Sequence, residues 1–292
     1  MKQCAILSMD NLDDFEAYDD LLIEPLEAYG WNTEFISWRA TGVDWNKFDV
    51  VIIRTPWDYQ DDAPAFIKVL TEIESSRAVL ENSLDIVKWN IDKQYLKALE
   101  AQGVMIVPSL WREQLNKNEI ERFFNHFDTD QVVFKPRISA NADNTFWLTL
   151  EQAIDRADEL VEVFKDKPFI IQPFIEDVIN EGEFSLFYFD GQYSHAILKT
   201  PKQDDFRVQE EHGGRLKTIT PEQSLVVAAE KSLAEIGEMP LYARVDFVRT
   251  NQGFALMEAE LIEPSLYFNM DDKSPQRFAD AFVARMARLY QM

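Results

Sequence analysis

Glycine is scarce in this chain, with nine residues in 292. There is no Gly-x-x-x-x-Gly-Lys loop and no Gly-x-Gly-x-x-Gly fingerprint. A P-loop nucleotidase and a Rossmann-type oxidoreductase therefore both lack their phosphate cradle. Any nucleotide would have to be held by side-chain cations. Cysteine is scarcer still. The single Cys4 excludes an internal disulfide framework and fits a reducing, cytoplasmic setting. In an apolar strand it reads as a small buried thiol rather than a nucleophile. The three histidines, His126, His195 and His212, lie far apart, and no pair has the helical spacing of a zinc site. No run approaches the roughly 18 apolar residues of a membrane span. Met1-Lys-Gln-Cys-Ala-Ile-Leu-Ser reads as a first strand, not a signal peptide. Basic residues number 29 against 52 acidic ones, for a formal charge of −23. Nucleic acid is excluded as a partner, since its backbone demands a basic surface. A small anion stays admissible if positive charge is gathered locally.

What is present reads as α/β, in three regions. Residues 1–90 alternate strand and helix. Strands are expected at 3–8, 33–37 and 49–54, with helices at 19–29, closed by Gly30, and 61–77. Alternation of this kind implies a small, mostly parallel sheet with helices on both faces. Residues 91–174 read as an α+β unit: a helix at 91–102 closed by Gly103, strands at 104–107, 131–135 and 169–174, and a helix at 149–164 opened by a Thr149/Gln152 capping box. Residues 175–292 hold strands at 183–189 and 192–199 joined by Asp190-Gly191. A helix at 221–236 with a Thr220/Gln223 capping box, a hairpin and a last helix opened by Ser274-Pro275 follow.

The hairpin carries the chemistry. Arg244-Val-Asp246-Phe-Val and Leu256-Met-Glu258-Ala-Glu260 flank the loop Thr250-Asn-Gln-Gly253. Residues two apart share a strand face. If the register aligns the faces, three carboxylates and a guanidinium meet on one patch, a hard oxygen set suited to magnesium shared with phosphate. The alternative is a solvated face of mixed charge. Lys93, Lys135 and Lys199 are candidate phosphate ligands, the last two ending apolar strands. A buried strand seldom ends in lysine unless the ammonium reaches solvent or an anion. The linker Ile170-Ile-Gln172-Pro173-Phe174-Ile175 offers backbone and amide groups to an adenine edge, with Glu183 beyond it for ribose; an ordinary linker is the other reading. Arg54-Thr-Pro-Trp57-Asp58-Tyr59 follows a strand, where an open sheet binds ligands. Arg54 could clamp a substrate carboxylate beside a wall of Trp57 and Tyr59, or simply pair with Asp58. His212, in Glu-Glu-His-Gly-Gly, is a candidate base or a bystander.

The order Lys93, Lys135-Pro, Gln172-Pro-Phe-Ile, Gly182-Glu183-Phe-Ser, Lys199, Arg207, Arg244-Val-Asp246, Glu258-x-Glu260 and Pro264 resembles the ATP-grasp superfamily over about residues 90 to 270. It is similar to the glutathione synthetase and ribosomal-protein glutamate ligase branch. Within that branch, Arg54-Thr-Pro-Trp-Asp-Tyr, Asp205-Phe-Arg207-Val-Gln-Glu-Glu-His-Gly-Gly and Glu263-Pro-Ser265-Leu-Tyr resemble the subgroup of the O-ureido-serine cyclo-ligase of cycloserine synthesis.

The resemblance implies an N-terminal βα domain followed by two α+β subdomains that clasp ATP. It implies a carboxylate–amine ligase working through an acyl phosphate on small-molecule substrates, with one or two magnesium ions that manganese can replace. Lys93 and Lys135 would hold the α- and β-phosphates and Lys199 the γ-phosphate. Gln172, Pro173, Phe174 and Ile175 would read adenine, Glu183 the ribose. Asp246, Glu258 and Glu260 would bind the metal, with Arg244 and Arg207 offsetting developing charge. Arg54, Trp57, Asp58, His212 and Ser265 would face the substrate. A homodimer is common in the superfamily, though no residue here demonstrates one. Two departures stand out. Glu260 replaces the usual asparagine ligand, and Ile138-Ser139-Ala-Asn141-Ala replaces a glycine-rich loop; Ser139 can donate to phosphate there. The rivals are a cyclo-ligase or phosphoryl transferase on the same fold, and a non-catalytic ATP-binding protein.

Overall fold

The computed structural model of the chain describes residues 1–139, 143–202, 207–208, 210 and 213–290. Three sheets carry the architecture. In the first, β1 (Lys2–Ser8), β2 (Trp31–Ser37), β3 (Val50–Thr55) and β4 (Val79–Glu81) lie in the order β2-β1-β3-β4, all parallel. β3 is buried along its whole length, as a parallel strand covered on both faces must be. Helix Ala63–Glu74 covers one face through Phe66, Leu70 and Ile73, which pack on Leu7 and Ile53. Helix Ser274–Leu289, from the far end of the chain, covers the other with Phe278 and Phe282 against Ile6 and Ile52.

The second sheet holds β5 (Leu110–Arg112), β6 (Gln131–Pro136), β7 (Phe146–Thr149) and β8 (Phe169–Pro173) in the antiparallel order β5-β8-β6-β7. It has its own aromatic core, including Phe123, Phe134, Phe164 and Phe169. The third sheet, also antiparallel, runs β11-β10-β9-β12-β13 and is built of β9 (Glu183–Phe189), β10 (Gln192–Thr200), β11 (Arg215–Thr218), β12 (Tyr242–Thr250) and β13 (Gly253–Glu260). Phe187, Phe189 and Tyr242 join the core that contains Cys4 and Ile6, so the first and third sheets are packed into one body. Among the described residues no helix is long and apolar enough to cross a membrane.

Several expected elements take a different form. Of the helix expected at 91–102 only Tyr95–Ala101 forms, and a helix the sequence did not suggest, Leu84–Asn90, precedes it across a break. The break falls where Asp92 pairs with Arg137 at 2.5 Å and the Lys93 amide donates to the Arg137 carbonyl at 3.0 Å. Both helices belong with the third sheet, since Ile86, Tyr95, Leu96 and Leu99 pack under Leu186 and Val245. The strand expected at 104–107 is a single bridge, Ile106 to Leu256 on β13. The Thr149/Gln152 capping box forms, but its helix breaks at Arg156 into Leu150–Asp155 and Ala157–Val163. The Thr220/Gln223 box does not form. The helix there is Gln223–Ala234, and its N-cap Glu222 gives its carboxylate to Ser224 and Arg249 instead. The short strands β4, β5, β7 and β11 and helix Ile120–Phe127 carry no expectation from the sequence.

Candidate functional site

The hairpin sets the geometry. Thr250 pairs with Gly253 across a two-residue turn, and Phe247 faces Leu256. A bulge between Asp246 and Phe247 then shifts the register, so that Asp246 faces Glu258 and Arg244 faces Glu260. Without that shift Asp246 would oppose Met257, and the acids of β13 would point to the other face. The bulge is what unites the three carboxylates with the guanidinium.

Each acid of the set is in contact with a cation. Arg244 Nε donates to Asp246 Oδ2 at 3.1 Å, and Arg244 Nη2 pairs with Glu260. Lys199, buried at the end of β10, pairs with Glu183 and stands 3.6 Å from Asp246 Oδ2. Lys93 Nζ lies 2.9 Å from Glu258 Oε1 and donates to the Ser139 carbonyl at 2.9 Å. Ser185, one alternation beyond Glu183 on β9, donates to Asp246 Oδ1 at 2.5 Å.

Burial works against the charge of every group here, and the pairs decide which ones keep it. Burial raises Asp246, but Arg244, Lys199 and the Ser185 hydroxyl outweigh it and hold the carboxyl below its ordinary value. Glu258 is likewise held low against burial, by Lys93 and Lys135. Burial, with Glu258 and Asp246 close by, pushes Glu260 up to about 7 despite Arg244. Burial and the nearby Glu260 push Glu263 up to about 8. Burial lowers Lys135 to about 8. A cleft so loaded with acids suits a cation, and its lysines suit an anion.

One cleft lies between the second and third sheets and gathers most of the expected residues. Lys135 from β6 and Gln172 and Pro173 from β8 form its upper side, continued by Phe174 and Ile175. Gln172 Nε2 donates to Ser109 Oγ at 2.9 Å, which leaves its Oε1 to accept from an amine. Val107, Val178 and Met257 give an apolar floor opposite. Lys93, Ser139, Glu183 and Lys199 line it, as do Arg207, Arg244, Glu258 and Glu260. Trp57 and Ser265 reach it from the side of the first sheet. Asp246 is buried beneath it, under Ser185 and Arg244.

Two expected residues are not brought to the cleft. Arg54 is fully buried and pairs neither with a cleft group nor with Asp58. Its Nε meets Asp19 Oδ1 at 2.5 Å and its Nη2 donates to the Pro264 carbonyl at 2.6 Å. Asp58 turns away to Trp38 Nε1 at 2.6 Å and Arg39 Nε at 2.7 Å. His212 and Asn141 lie outside the described residues. The sequence gave no role to Glu263, Ser185, Met257 and Tyr267, three of them present only as letters of a motif, and all stand at or beside the cleft. Alternation from Glu183 would have found Ser185. The three-residue step from Glu260 to Glu263 gave no such signal.

Asp246, Glu258 and Glu260 could hold a metal ion. Among the described residues no three acid, imidazole or thiol groups cage an ion by themselves. An oxygen set left open in this way fits magnesium, which keeps waters and shares substrate phosphates rather than filling an all-protein cage.

Comparison with known proteins gives a consistent family. Residues 83–239, more than half the chain, match the ATP-grasp domain of prokaryotic glutathione synthetase. Residues 4–82 match the N-terminal domain of the D-cycloserine synthetase DcsG. The cycloserine biosynthesis protein DcsG of Streptomyces lavendulae is 27% identical over 277 residues, covering 91% of this chain and 92% of that protein. The crystal structure of D-cycloserine synthetase DcsG superposes with a TM-score of 0.87 at 25% identity, over 97% of this chain and 99% of the other. The D-alanine–D-alanine ligase of Bacillus anthracis shares the fold, with a TM-score of 0.71 at 14% identity over 100% and 99% of the two chains. The chain thus belongs to the ATP-grasp family and is an ATP-dependent ligase.

Proposed function

We propose that this ligase joins a carboxylate to an amine through an acyl phosphate, releasing ADP and phosphate. The observation that carries the reading is the bulged hairpin, with Arg244, Asp246, Glu258 and Glu260 on one face and Lys93, Lys135 and Lys199 around it. Lys93 and Lys135 hold the α- and β-phosphates, and Lys199 the γ-phosphate. Gln172 and the chain from Pro173 to Ile175 read adenine, Phe174 giving a ring wall, and Glu183 takes the ribose. Asp246, Glu258 and Glu260 hold magnesium, one or two ions with manganese as a substitute, which supplies charge neutralisation to the phosphates. Lys93 and Lys199 now rest on carboxylates; nucleotide and cation arriving together would let each exchange its partner without stranding a charge.

In the first step a substrate carboxylate oxygen bonds to the γ-phosphorus, and the bond to the bridging oxygen breaks with its electron pair leaving on ADP. Lys199 and Arg207 offset the repulsion between the two anions. In the second step the amine nitrogen attacks the acyl carbon and gives up a proton, and phosphate leaves. Arg244 stabilises the oxyanion between these events. The second sheet, residues 110–173, excludes water from the acyl phosphate. The substrates are small molecules, met at Trp57 and Ser265; a homodimer and a cytoplasmic location go with the reading. A second reading has support of its own. The match of residues 4–82 to a D-cycloserine synthetase domain favours cyclisation, with acid and amine in one molecule.

A hydroxylamine trap tests both. The protein is incubated with MgATP, pools of amino acids, dipeptides and small carboxylates, and hydroxylamine in place of the amine. Hydroxamate and ADP are expected in equal amounts, and both should vanish in Glu258→Gln. ADP without hydroxamate would point to cyclisation, where an internal amine takes the acyl group first, if a cyclic amide forms, and to a phosphoryl transferase or futile hydrolysis if none does.

A further inference from the structure

Residues 261–266 follow β13 along the junction of the first and third sheets, where no strand pairing serves their carbonyls. Each of the six carbonyls nevertheless has a side-chain donor within reach, each from a different residue. Leu261 O accepts from Asn82 Nδ2 at 2.7 Å and Glu263 O from Trp57 Nε1 at 2.8 Å, while Ile262 O stands 3.0 Å from Tyr242 Oη and shares its one proton with Ile53 O at 2.5 Å. Pro264 O accepts from Arg54 Nη2 at 2.6 Å, Ser265 O from Arg244 Nη1 at 3.1 Å and Leu266 O from His195 Nε2 at 3.0 Å. Most side-chain donors in a protein serve backbone oxygens singly and at scattered places. Here three donors come from residues before 90 and three from β10 and β12, so the segment is tied from both sides.

Arg54 is the costly member. It is 0% exposed, its ion pair with Asp19 is buried with it, and its Nη1 has no partner among the described residues. Its guanidinium carbon lies 4.8 Å from the centre of the Tyr242 ring, so the residues that reach Pro264 O and Ile262 O also rest on each other. A buried ion pair is poor value for stability, because desolvation cancels most of the attraction. What this pair achieves is a fixed fork: Nε fastened to Asp19, Nη2 left to grip Pro264 O.

We infer that Arg54 is a positioning residue of the ligase site, locking the segment 261–266 so that Glu263 and Ser265 stand in the cleft and Arg244 is held against Ser265 O. The inference rests on the proposed ligase activity for its kinetic readout alone. The adenine side of the cleft is carried by β6 and β8, away from the segment, while Arg244 is bonded to Ser265 O within it. Loosening the segment therefore moves Arg244 first and costs turnover more than nucleotide affinity.

Two variants test this. Arg54→Lys keeps a charge beside Asp19 and loses the fork. Tyr242→Phe keeps the buried ring, which does not line the cleft, and loses the hydroxyl that Ile53 O and Ile262 O share. Three measurements are made on each: hydrogen exchange of a peptide spanning 261–267, the dissociation constant for the non-hydrolysable analogue AMPPNP with magnesium, and turnover in the hydroxylamine trap. Exchange of the segment should rise about tenfold or more, with the β12–β13 peptides unchanged. Turnover should fall about ten- to a hundredfold, since small misplacements cost that much, with AMPPNP affinity and the KM for ATP changing far less. Unchanged exchange, unchanged turnover, or a loss confined to nucleotide affinity would overturn the inference. If Arg54→Lys does not fold, Tyr242→Phe decides. If the wild-type protein makes no hydroxamate, the ligase reading falls by itself, and exchange of the segment still shows whether these donors hold it.

Discussion

Lys135 projects from β6 into the cleft with its ammonium lowered to about 8, by burial chiefly and by Lys93 in part, against the pull of Glu258 and Glu183. A bound phosphate favours the charged form, so the complex keeps the proton to higher pH than the free protein does. The sign follows. Nucleotide affinity is full below about pH 8 and falls as pH rises through it, by up to about tenfold per unit, until the complex also loses the proton. Titrating AMPPNP with magnesium from about pH 7 to about pH 9.5 reads this directly. A flat profile would remove Lys135 from the phosphate set, and Lys135→Arg should lose the fall above about pH 8, keeping only the change that Glu260 and Glu263 bring as they ionise. The lysines and acids were legible in the sequence because strand alternation fixes which neighbours share a face. Arg54 was not. The phrase Arg-Thr-Pro-Trp after a strand suggested a substrate clamp, but the partner that claims the guanidinium, Asp19, is 35 residues upstream. No local spacing announces such a pair.

At the scale of elements, the junction of β9 and β10 aims Lys199, which pairs with Glu183 across the ladder. Gly182 just before it has φ +124°, and a Cβ there would come 2.7 Å from the Lys199 carbonyl oxygen. Backbone, not a flexible tip, is in the way. Gly182→Ala should therefore cost about 1–3 kcal/mol in denaturant unfolding and, by shifting Lys199 off Asp246 and Glu183, should slow turnover as well. Wild-type stability and turnover in that variant would show that the ladder end absorbs the clash. The long strands and the last helix were readable because they show two or more periods of burial. Strands of three or four residues, such as β4, β5, β7 and β11, do not. The break before Tyr95 was unreadable for another reason, since Arg137 recruits Asp92 from a distant part of the chain. The bulge at Asp246 was equally silent. Alternation offered two candidate faces, and only the ladder itself shows that they coincide.

For the molecule as a whole, the cores divide the chain unevenly. The first and third sheets share apolar packing, whereas the second sheet keeps its own cluster from Leu115 to Ile171. Units with separate cores open separately. Native-state hydrogen exchange should thus resolve residues 110–173 as one cooperative unit of lower stability than the rest. AMPPNP with magnesium should protect that unit most, because Lys135 and Gln172 belong to it. A single unit spanning all three sheets, or protection spread evenly, would count against an independently opening second sheet. The order of the three regions could be read from the order of motifs along the chain. The allegiance of helix Tyr95–Ala101 could not, since its apolar face looks the same whichever sheet it meets.

The thiol of Cys4 has a practical consequence. It is 0% exposed inside β1, and burial pushes it well above the ordinary thiol range. At neutral pH it is neither charged nor reachable, so the natural chain already behaves as a cysteine-free background toward maleimide dyes. A pair of cysteines introduced at exposed positions, one beside β7 and one at the Asn251-Gln252 turn, would be the only sites to take up label. Fluorophores placed there would report the separation of the second and third sheets in single molecules, through each round of nucleotide binding and release, without first replacing any native residue.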